Sequence, residues 1–328
     1  MYLATHVKAA MPTSLSEEMR RALALDATYC AEFECSGPHD LAAYRRQYNH
    51  ARSFWNQGGP EMGKSEDLVI PGEAGDIPCR LHRPTAACSR VMPTPAIVFA
   101  HGGGWVVGSI DTHDRMMREI AERSGFCVIG VDYTLSPEVR FPASHQQVLQ
   151  VLRHLHTNAN RYGLDGDNLH LCGDSAGAHM SLYCALEERD AGHSSIRSLA
   201  LIYGAFGLRD SISRRIQGGE NEGLSSDDMN FYVSSLLGDG VEPGCSGYDL
   251  LRRPMQALPP CLITDCILDP LRDDSLALAA LLQRYNVPHE LIEYAGVLHG
   301  YAHLSSAVPT AIDTLTTCAS WFCRHSAV

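Results

Sequence analysis

A serine set among glycines is the first residue of this chain that could do chemistry. Ser175 lies in the run Gly173-Asp174-Ser175-Ala176-Gly177, a G-x-S-x-G pattern. A serine hydroxyl is a weak nucleophile at neutral pH, so it needs a base, a sharp turn that exposes its Oγ, and donors for the oxyanion. Glycines permit such a turn because they have no Cβ. An ordinary tight glycine turn has the same pattern, so other residues must decide between the two.

A second glycine-rich run lies upstream. The apolar stretch Ala96–Ala100 is followed by His101-Gly-Gly-Gly-Trp105. Successive glycines let backbone N–H groups approach a developing oxyanion, and each well-aimed donor contributes about 2.7–4 kcal/mol. We therefore assign the oxyanion donors to Gly103, Gly104 and Ala176. A flexible hinge or a phosphate-binding loop is the alternative, but neither G-x-G-x-x-G nor a following Lys-Ser/Thr is present.

An acid and a histidine that could complete a catalytic set follow Ser175 in the chain. Asp269 comes just after the apolar stretch Pro260–Cys266, and His299 follows the alternating stretch His289–Tyr294. The order serine, acid, histidine is one of those in which such triads occur. Loops after parallel strands gather at the carboxyl edge of a sheet, so we expect the three side chains to meet there.

Other residues compete for these roles. His303 could replace His299 as the base, although its position in the following helix favours a structural role. Asp273 and Asp274 could replace Asp269, but they fall in the first turn of a helix, where acids are favourable partners of the helix dipole. His101 is expected to brace the glycine loop. Asp174 could hold nearby backbone amides.

The elements that must position these residues alternate between strands and helices. After an opening hairpin, strand patterns and helix patterns follow one another to the end of the chain, which predicts a mostly parallel α/β sheet flanked by helices. The segments that carry this prediction are Leu68–Ile70, Ile77–Leu81, Cys127–Tyr133, Ala143–Tyr162, Leu169–Cys172, Ala176–Arg189 and Leu199–Tyr203.

Composition limits the classes of function. The chain has 328 residues, of which 45% are hydrophobic and 20% charged, and this predicts one large globular domain with insertions. The formal net charge of −12 argues against nucleic acid and anionic membranes as partners, because phosphate binding needs a basic face. Met1–Leu25 lacks the apolar core of a signal peptide, and no run of ~18 apolar residues occurs, which predicts a cytoplasmic protein without a membrane span.

Cysteines and histidines give no evidence of a disulfide framework or a metal centre. The 12 cysteines are scattered without a C-x-x-C pair, so we expect buried reduced thiols. Among the 16 histidines, the pairs His101/His113 and His299/His303 lack a third ligand at a recognisable spacing, and H-E-x-x-H is absent. We expect neither a catalytic metal nor a cofactor.

The motifs, taken together, resemble a known family. HGGGW, DYTLSPE, GDSAGA, DPLRDD and LHG occur in this order and are similar to the hormone-sensitive-lipase family of α/β-hydrolases over about residues 60–325. Three further runs, residues 53–62, 111–115 and 207–211, resemble its enterobacterial acetyl esterase branch. The resemblance implies an α/β-hydrolase fold, a triad of Ser175, Asp269 and His299, and an oxyanion hole of Gly103, Gly104 and Ala176. Supporting motif residues are His101, Gly102, Gly173, Asp174 and Gly177.

The resemblance also implies a helical cap. Ser14–Trp55 has amphipathic helical patterns, and Ala205–Arg253 is too long and too glycine-rich for an ordinary loop. We therefore predict cap segments at residues 1–60 and 205–253 around a core formed by residues 61–204 and 254–328. A helical extension packed elsewhere is the alternative for the first segment.

The expected activity is hydrolysis of short acyl esters, from acetyl to about hexanoyl, by a serine carboxylesterase. A deacetylase or amidase acting on N-acyl substrates is an alternative, because a triad does not select the leaving group. Another is a regulatory partner of a maltose-type transcription activator, with incidental esterase activity, as the acetyl esterase resemblance allows. The expected partner is a small-molecule ester, and a homodimer stays open.

Overall fold

The computed structural model describes residues 4–8, 14–33, 37, 40–89, 93–219, 223–241, 244 and 247–326. Its strands, in chain order, are β1 Ala4–Lys8, β2 Lys64–Ile70, β3 Ile77–Arg83, β4 Thr94–Ala100, β5 Cys127–Val131, β6 Leu164–Asp174, β7 Ile196–Ile202, β8 Cys261–Leu268 and β9 His289–Leu298. They form one nine-stranded sheet in the order β1-β9-β8-β7-β6-β4-β5-β3-β2. All neighbours are parallel except β2–β3 and β3–β5, so the expected mostly parallel α/β sheet is confirmed.

Helices cover both faces of this sheet. They are α1 Glu17–Ala31, α2 Leu41–Trp55, α3 Thr85–Cys88, α4 Asp114–Ser124, α5 Ala143–Asn158, α6 Ala176–Asp190, α7 Ile212–Gln217, α8 Ser226–Leu237, α9 Arg272–Arg284 and α10 Pro309–His325. No helix in the described ranges is long and apolar enough to cross a membrane.

The sequence of β4 shows why the core has two sides. Every residue of this strand is buried, as expected for a parallel strand covered on both faces. Ile97 and Phe99 point into an apolar cluster with α4 and α10, whereas Val98 and Ala100 point into a second cluster with α5 and α6. The strand leads directly into the glycine loop, so the core fixes where that loop begins.

Strand β1 lies where the sequence analysis predicts no strand. Ala4–Lys8 pairs in parallel with β9, with Ala4 opposite Glu290 and Lys8 opposite Tyr294. The first predicted cap segment therefore begins with an edge strand before its helices α1 and α2. This strand covers the backbone of β9, which would otherwise form an unpaired edge. The predicted domain boundaries themselves stay predictions.

Helices α1 and α2 form an antiparallel pair. Ser16 accepts a hydrogen bond from the backbone N–H of Met19 at 3.1 Å, and Asp40 caps α2 through the N–H of Ala43 at 3.0 Å. Such side-chain caps satisfy donors that the first helical turn leaves unpaired. The pair is held together by the stacked rings of Tyr29 and Phe54, whose centroids are 4.2 Å apart.

Two buried histidines predict a loss of stability in mild acid. Burial lowers the pKa of His170 to about 3 and that of His179 to about 4. An unfolded histidine has a pKa near ~6.5, so below that pH the unfolded chain binds protons that the folded chain excludes. We expect the free energy of unfolding to fall as the pH drops from about 6.5 to about 4, by up to ~1.4 kcal/mol per pH unit for each such histidine.

Urea unfolding midpoints between pH 8 and pH 4.5 test this expectation. His170 packs against the rings of Phe126 and Phe322, so His170→Phe replaces a titrating ring with an apolar one of similar shape. In the variant, the free energy of unfolding should depend less steeply on pH, because one titrating histidine no longer contributes to the slope. The control is His156→Gln at an exposed histidine. Parallel profiles for wild type and His170→Phe would contradict the expectation.

Candidate active site

Ser175 occupies a strained turn between β6 and α6. Its φ is +52° and its ψ is −114°, a conformation that costs a non-glycine residue about 1–3 kcal/mol. The strand β6 ends at Asp174 and the helix α6 begins at Ala176, so the turn consists of Ser175 alone. The backbone N–H of Ser175 donates to the carbonyl of Ile202 at 2.8 Å, which anchors the turn to β7.

The glycines beside Ser175 are required by close backbone packing. A Cβ at Gly177 would lie 1.9 Å from the carbonyl oxygen of Ala100. A Cβ at Gly173 would lie 2.4 Å from the carbonyl oxygen of Gly177. Real Cβ atoms do not approach backbone oxygen so closely, so the first turn of α6 can pack against the end of β4 only because these residues lack side chains.

The structure brings together Ser175, His299 and Asp269. The Oγ of Ser175 lies 2.9 Å from Nε2 of His299, and Nδ1 of His299 lies 2.7 Å from Oδ2 of Asp269. Asp269 directly follows β8 and His299 directly follows β9. The Oδ1 atom of Asp269 accepts the backbone N–H of Leu271 at 2.7 Å, which fixes the carboxylate. This is the geometry in which a base can take the serine proton.

The competing acids have other partners. Asp273 accepts the backbone N–H of Ser213 at 2.8 Å. The carboxylate of Asp274 caps three successive backbone N–H groups at 2.7–3.1 Å, those of Phe206, Gly207 and Leu208. Asp274 also pairs with Arg214 at 3.2 Å. Of the three aspartates that the sequence offers, Asp269 is the one that contacts His299.

The glycine loop lies beside Ser175. Gly103 and Gly104 have φ values of +109° and +58°, and together with Ala176 they border the same cavity as Ser175 and His299. A Cβ at Gly104 would lie 2.2 Å from the ring of Tyr232, so α8 can approach the loop only over a glycine. The predicted oxyanion donors are therefore gathered around the nucleophile.

His101 lies beneath this loop. Its Nδ1 is 2.8 Å from the carbonyl oxygen of Gly102, and its ring stacks on that of Tyr133 with centroids 4.1 Å apart. Burial lowers the pKa of His101 to about 3, so the ring is neutral around pH 7. A neutral, stacked imidazole suits the bracing role that the sequence suggests.

Asp174 joins the nucleophile turn to the glycine loop. Its Oδ1 accepts the backbone N–H of Gly102 at 2.8 Å, and its two oxygens lie 3.3 Å from Nε2 of His113 and 3.4 Å from Nε2 of His303. Burial alone would raise the pKa of Asp174, but His113 and His303 hold it well below its usual value. His303, the competing base, therefore contacts Asp174 instead of Ser175.

Asp174 and its two histidine partners form a group of potential metal ligands that spacing along the sequence does not reveal. The ligand atoms of His113, Asp174 and His303 lie within 4.8 Å of one another. The N–H of Gly102 points at the Asp174 carboxylate, however, and its positive end would oppose a cation there. This donor set fits a hydrogen-bonded clamp better than a metal site.

Both predicted cap segments border the cavity above Ser175. The cavity measures about 120 Å³. Helix α2 contributes Tyr48 and Arg52, and the insertion contributes Leu224, Met229, Tyr232 and Val233. The sequence analysis predicted a cap but none of these lining residues, because a helical pattern does not show which polar side chains reach a site.

Direct contacts hold α2 in this position. The hydroxyls of Tyr44 and Tyr232 are 2.6 Å apart, which joins α2 to α8. Arg45 donates to the carbonyl of Val106 at 2.8 Å and to that of Ser136 at 2.9 Å, and it pairs with Glu138 at 2.6 Å. The first helical pair is thus tied to the segment that follows the glycine loop.

Sequence comparison identifies the fold of most of the chain. Residues 97–303 match a family model described as the alpha/beta hydrolase fold. This segment contains the glycine loop, Ser175, Asp269 and His299.

Solved structures similar to this chain are ester hydrolases by name. One is a hyperthermophilic esterase from the archaeon Pyrobaculum calidifontis, with 29% identity, a TM-score of 0.87, and coverage of 95% of this chain and 99% of that chain. A second is the ester hydrolase EH1AB1 from the metagenome of Lake Arreo, in complex with a bipyridine phosphonate derivative. It has 28% identity, a TM-score of 0.88, and coverage of 95% of this chain and 99% of that chain. A third is the thermostable carboxylesterase EstE1 from a metagenomic library. It has 25% identity, a TM-score of 0.83, and coverage of 88% of this chain and 98% of that chain.

Proposed function

This chain belongs to the alpha/beta hydrolase fold family, and on that premise we propose that it is a serine carboxylesterase that hydrolyses short-chain acyl esters through an acyl-enzyme. The observation that carries the proposal is the continuous contact from Ser175 Oγ through His299 to Asp269, at 2.9 and 2.7 Å. The similarity to named esterases supports the same reaction class.

In the first half of the reaction, His299 takes the proton of Ser175 while Oγ attacks the ester carbonyl carbon. The imidazolium that forms is stabilised by the buried carboxylate of Asp269. The carbonyl oxygen becomes an oxyanion, which the N–H groups of Gly103, Gly104 and Ala176 stabilise. His299 then returns the proton to the leaving alcohol, and the acyl group stays on Ser175.

In the second half, His299 removes a proton from water, and the water oxygen attacks the carbonyl carbon of the acyl group bound to Ser175. A second oxyanion forms and collapses with return of the proton to Ser175, and the carboxylic acid leaves. Each step uses groups that this chain supplies, and the clamp of Asp174 on Gly102 keeps the glycine loop and the nucleophile turn in register throughout.

The size of the cavity predicts a preference for small acyl groups. Its volume of about 120 Å³ is well below the ~300–1,000 Å³ of sites for drug-sized ligands. Each added methylene gains about 0.8 kcal/mol only while it finds apolar surface to contact. Across 4-nitrophenyl esters from acetate to laurate, we expect kcat/KM to peak between acetate and about hexanoate and to fall at least about tenfold at longer chains.

The same assay distinguishes the alternatives. A value of kcat/KM that keeps rising to laurate, or a preference for emulsified triglycerides, would contradict the short-chain assignment. Faster hydrolysis of 4-nitroacetanilide than of 4-nitrophenyl acetate would point to an amidase. Stoichiometric labelling of Ser175 by a phosphonate ester would support the acyl-enzyme route.

The acetyl esterase branch is the subtype that we propose within this function. Two of the runs that resemble it contact each other, since the backbone N–H of Arg115 donates to Oδ1 of Asn56 at 2.7 Å, and Arg115 also reaches the carbonyl of Gln57. We also propose a cytoplasmic location, which is supported by the buried thiols that carry no disulfide at Cys79, Cys172, Cys184, Cys261, Cys266 and Cys318.

A further inference from the structure

One arginine brings a positive charge to the cavity above Ser175, and no carboxylate of the described residues forms an ion pair with it. Arg52, from α2, borders the cavity together with Tyr48, Ser175 and His299. No carboxylate of the described ranges lies within 4.0 Å of its guanidinium nitrogens. Its guanidinium lies over the ring of Tyr48, whose centroid is 5.1 Å from the guanidinium carbon.

Other arginines of the cap show what a structural arginine does in this protein. Arg45 binds two backbone carbonyls and Glu138. Arg214, which also borders the cavity, pairs with the buried carboxylate of Asp274 at 3.2 Å. Arg52 differs from both because it borders the cavity without an ion pair to any carboxylate of the described residues.

The carboxylates nearest the site make their direct contacts with groups other than Arg52. Asp174 is held by Gly102, His113 and His303, and Asp269 is held by His299 and Leu271. Asp26 has a different partner, since its Oδ1 accepts the indole N–H of Trp55 at 2.6 Å. Arg52 therefore has no carboxylate in direct contact among the described residues, although the formal net charge of the whole chain is −12.

Burial would normally disfavour such a charge. Burial alone would lower the pKa of Arg52, but the electrostatic influence of Tyr48 and Asp26 raises it, so the guanidinium stays charged at every pH of interest. A charged donor that is partly removed from water gains most from an oppositely charged ligand. The planar fork of an arginine matches the two oxygens of a carboxylate.

We propose that the natural ester substrates carry an anionic oxygen group, in the simplest case a carboxylate, which Arg52 binds while the ester carbonyl lies at Ser175. This inference rests on the proposed esterase function and names the substrate class of the same site. The anionic group belongs either to the acyl part or to the alcohol part of the ester, and the two sources can be separated by experiment.

Matched pairs of esters test both sources. On the alcohol side, release of acetate from 4-acetoxybenzoate is compared with release of acetate from methyl 4-acetoxybenzoate, in which a neutral methyl ester replaces the carboxylate. On the acyl side, monomethyl succinate is compared with dimethyl succinate. At pH 7.5 the wild type should hydrolyse the anionic ester of at least one pair with a kcat/KM about tenfold above that of the neutral ester, equal to about 1.4 kcal/mol. The preference should weaken as salt is added.

Two variants of Arg52 and one control complete the test. Arg52→Gln should reduce the ratio of anionic to neutral kcat/KM at least about tenfold, chiefly through a higher KM for the anionic ester. Arg52→Lys keeps the charge, so its ratio of anionic to neutral kcat/KM should lie between those of Arg52→Gln and the wild type. Arg46→Gln removes a charge from the exposed side of the same helix and should leave the ratio unchanged.

The outcomes are distinct. The inference is overturned if the wild type shows no preference for the anionic ester in either pair. It is also overturned if Arg52→Gln lowers the ratio of anionic to neutral kcat/KM no more than Arg46→Gln does. If Arg52→Gln fails to fold, the wild-type ratio, its salt dependence and the Arg52→Lys ratio still decide. The esterase function itself fails separately, namely if Ser175→Ala continues to hydrolyse the neutral esters.

Discussion

Ser175→Ala should lower kcat for 4-nitrophenyl acetate by about 10⁴–10⁶-fold while the protein stays folded. The substitution removes the Oγ atom that forms the acyl-enzyme and keeps the Cβ atom, so it introduces no new steric contact. His299→Ala and Asp269→Asn should cause losses of similar or somewhat smaller size, because an amide at residue 269 would stabilise the wrong tautomer of His299. The measurement is steady-state turnover, with circular dichroism and thermal melting as checks of folding.

Combining these substitutions should add little further loss. The three residues act as one unit, so the double and triple variants should lie close to Ser175→Ala alone. Asp273→Asn is the matched control, because Asp273 caps Ser213 and does not touch His299. Near-normal turnover in Asp269→Asn together with a large loss in Asp273→Asn would move the acid role to Asp273.

Gly177→Ala should destabilise the protein by more than about 3 kcal/mol, even though helix propensity favours the change. Alanine is better than glycine inside a helix by about 0.5–1 kcal/mol. Against this gain, the new Cβ would lie 1.9 Å from the carbonyl oxygen of Ala100 and 2.8 Å from that of His101, and both are backbone atoms that cannot rotate away. The steric clash therefore outweighs the gain in helix propensity.

Thermal melting and denaturant unfolding measure this effect, with an expected fall in Tm of about 5 °C or more. Activity should fall too, because relief of the clash would displace Ser175 from His299. Gly192→Ala is the control: Gly192 follows α6 with a φ of +75° and has no atom within 4 Å of its built Cβ. That variant should lose only about 1–2 kcal/mol from its backbone conformation. An unchanged Tm in Gly177→Ala would show that α6 can move away from β4.

The residues around Ser175 are those that the sequence predicts best. Gly102, Gly103 and Gly104 follow a short apolar run that favours a buried strand. The position of the loop directly after that strand can be read from neighbouring residues. Asp269 and His299 are predicted from the order serine, acid, histidine and because each follows a strand pattern, which places both at one edge of a parallel sheet. Local patterns and topology together account for this part of the site.

What the sequence did not predict depends on contacts between distant segments. Arg52 looks like any polar residue of an amphipathic helix, and its position over the cavity follows from how α2 docks through Arg45 and Tyr44. The carboxylate of Asp174 was expected to hold backbone amides, but its pairing with His113 and His303 requires three segments to converge. Periodicity carries no information about such convergence.

The pairing of β1 with β9 has a consequence for how the chain folds as it is synthesised. Ala4–Lys8 is synthesised before its partner on β9, and the strands β2 to β8 lie between the two in the chain. Contacts so far apart along the chain form late, because a long loop must close before they contribute. During translation β1 therefore has no partner strand until β9 has been synthesised, and we expect its docking onto β9 to be a late step in completing the sheet.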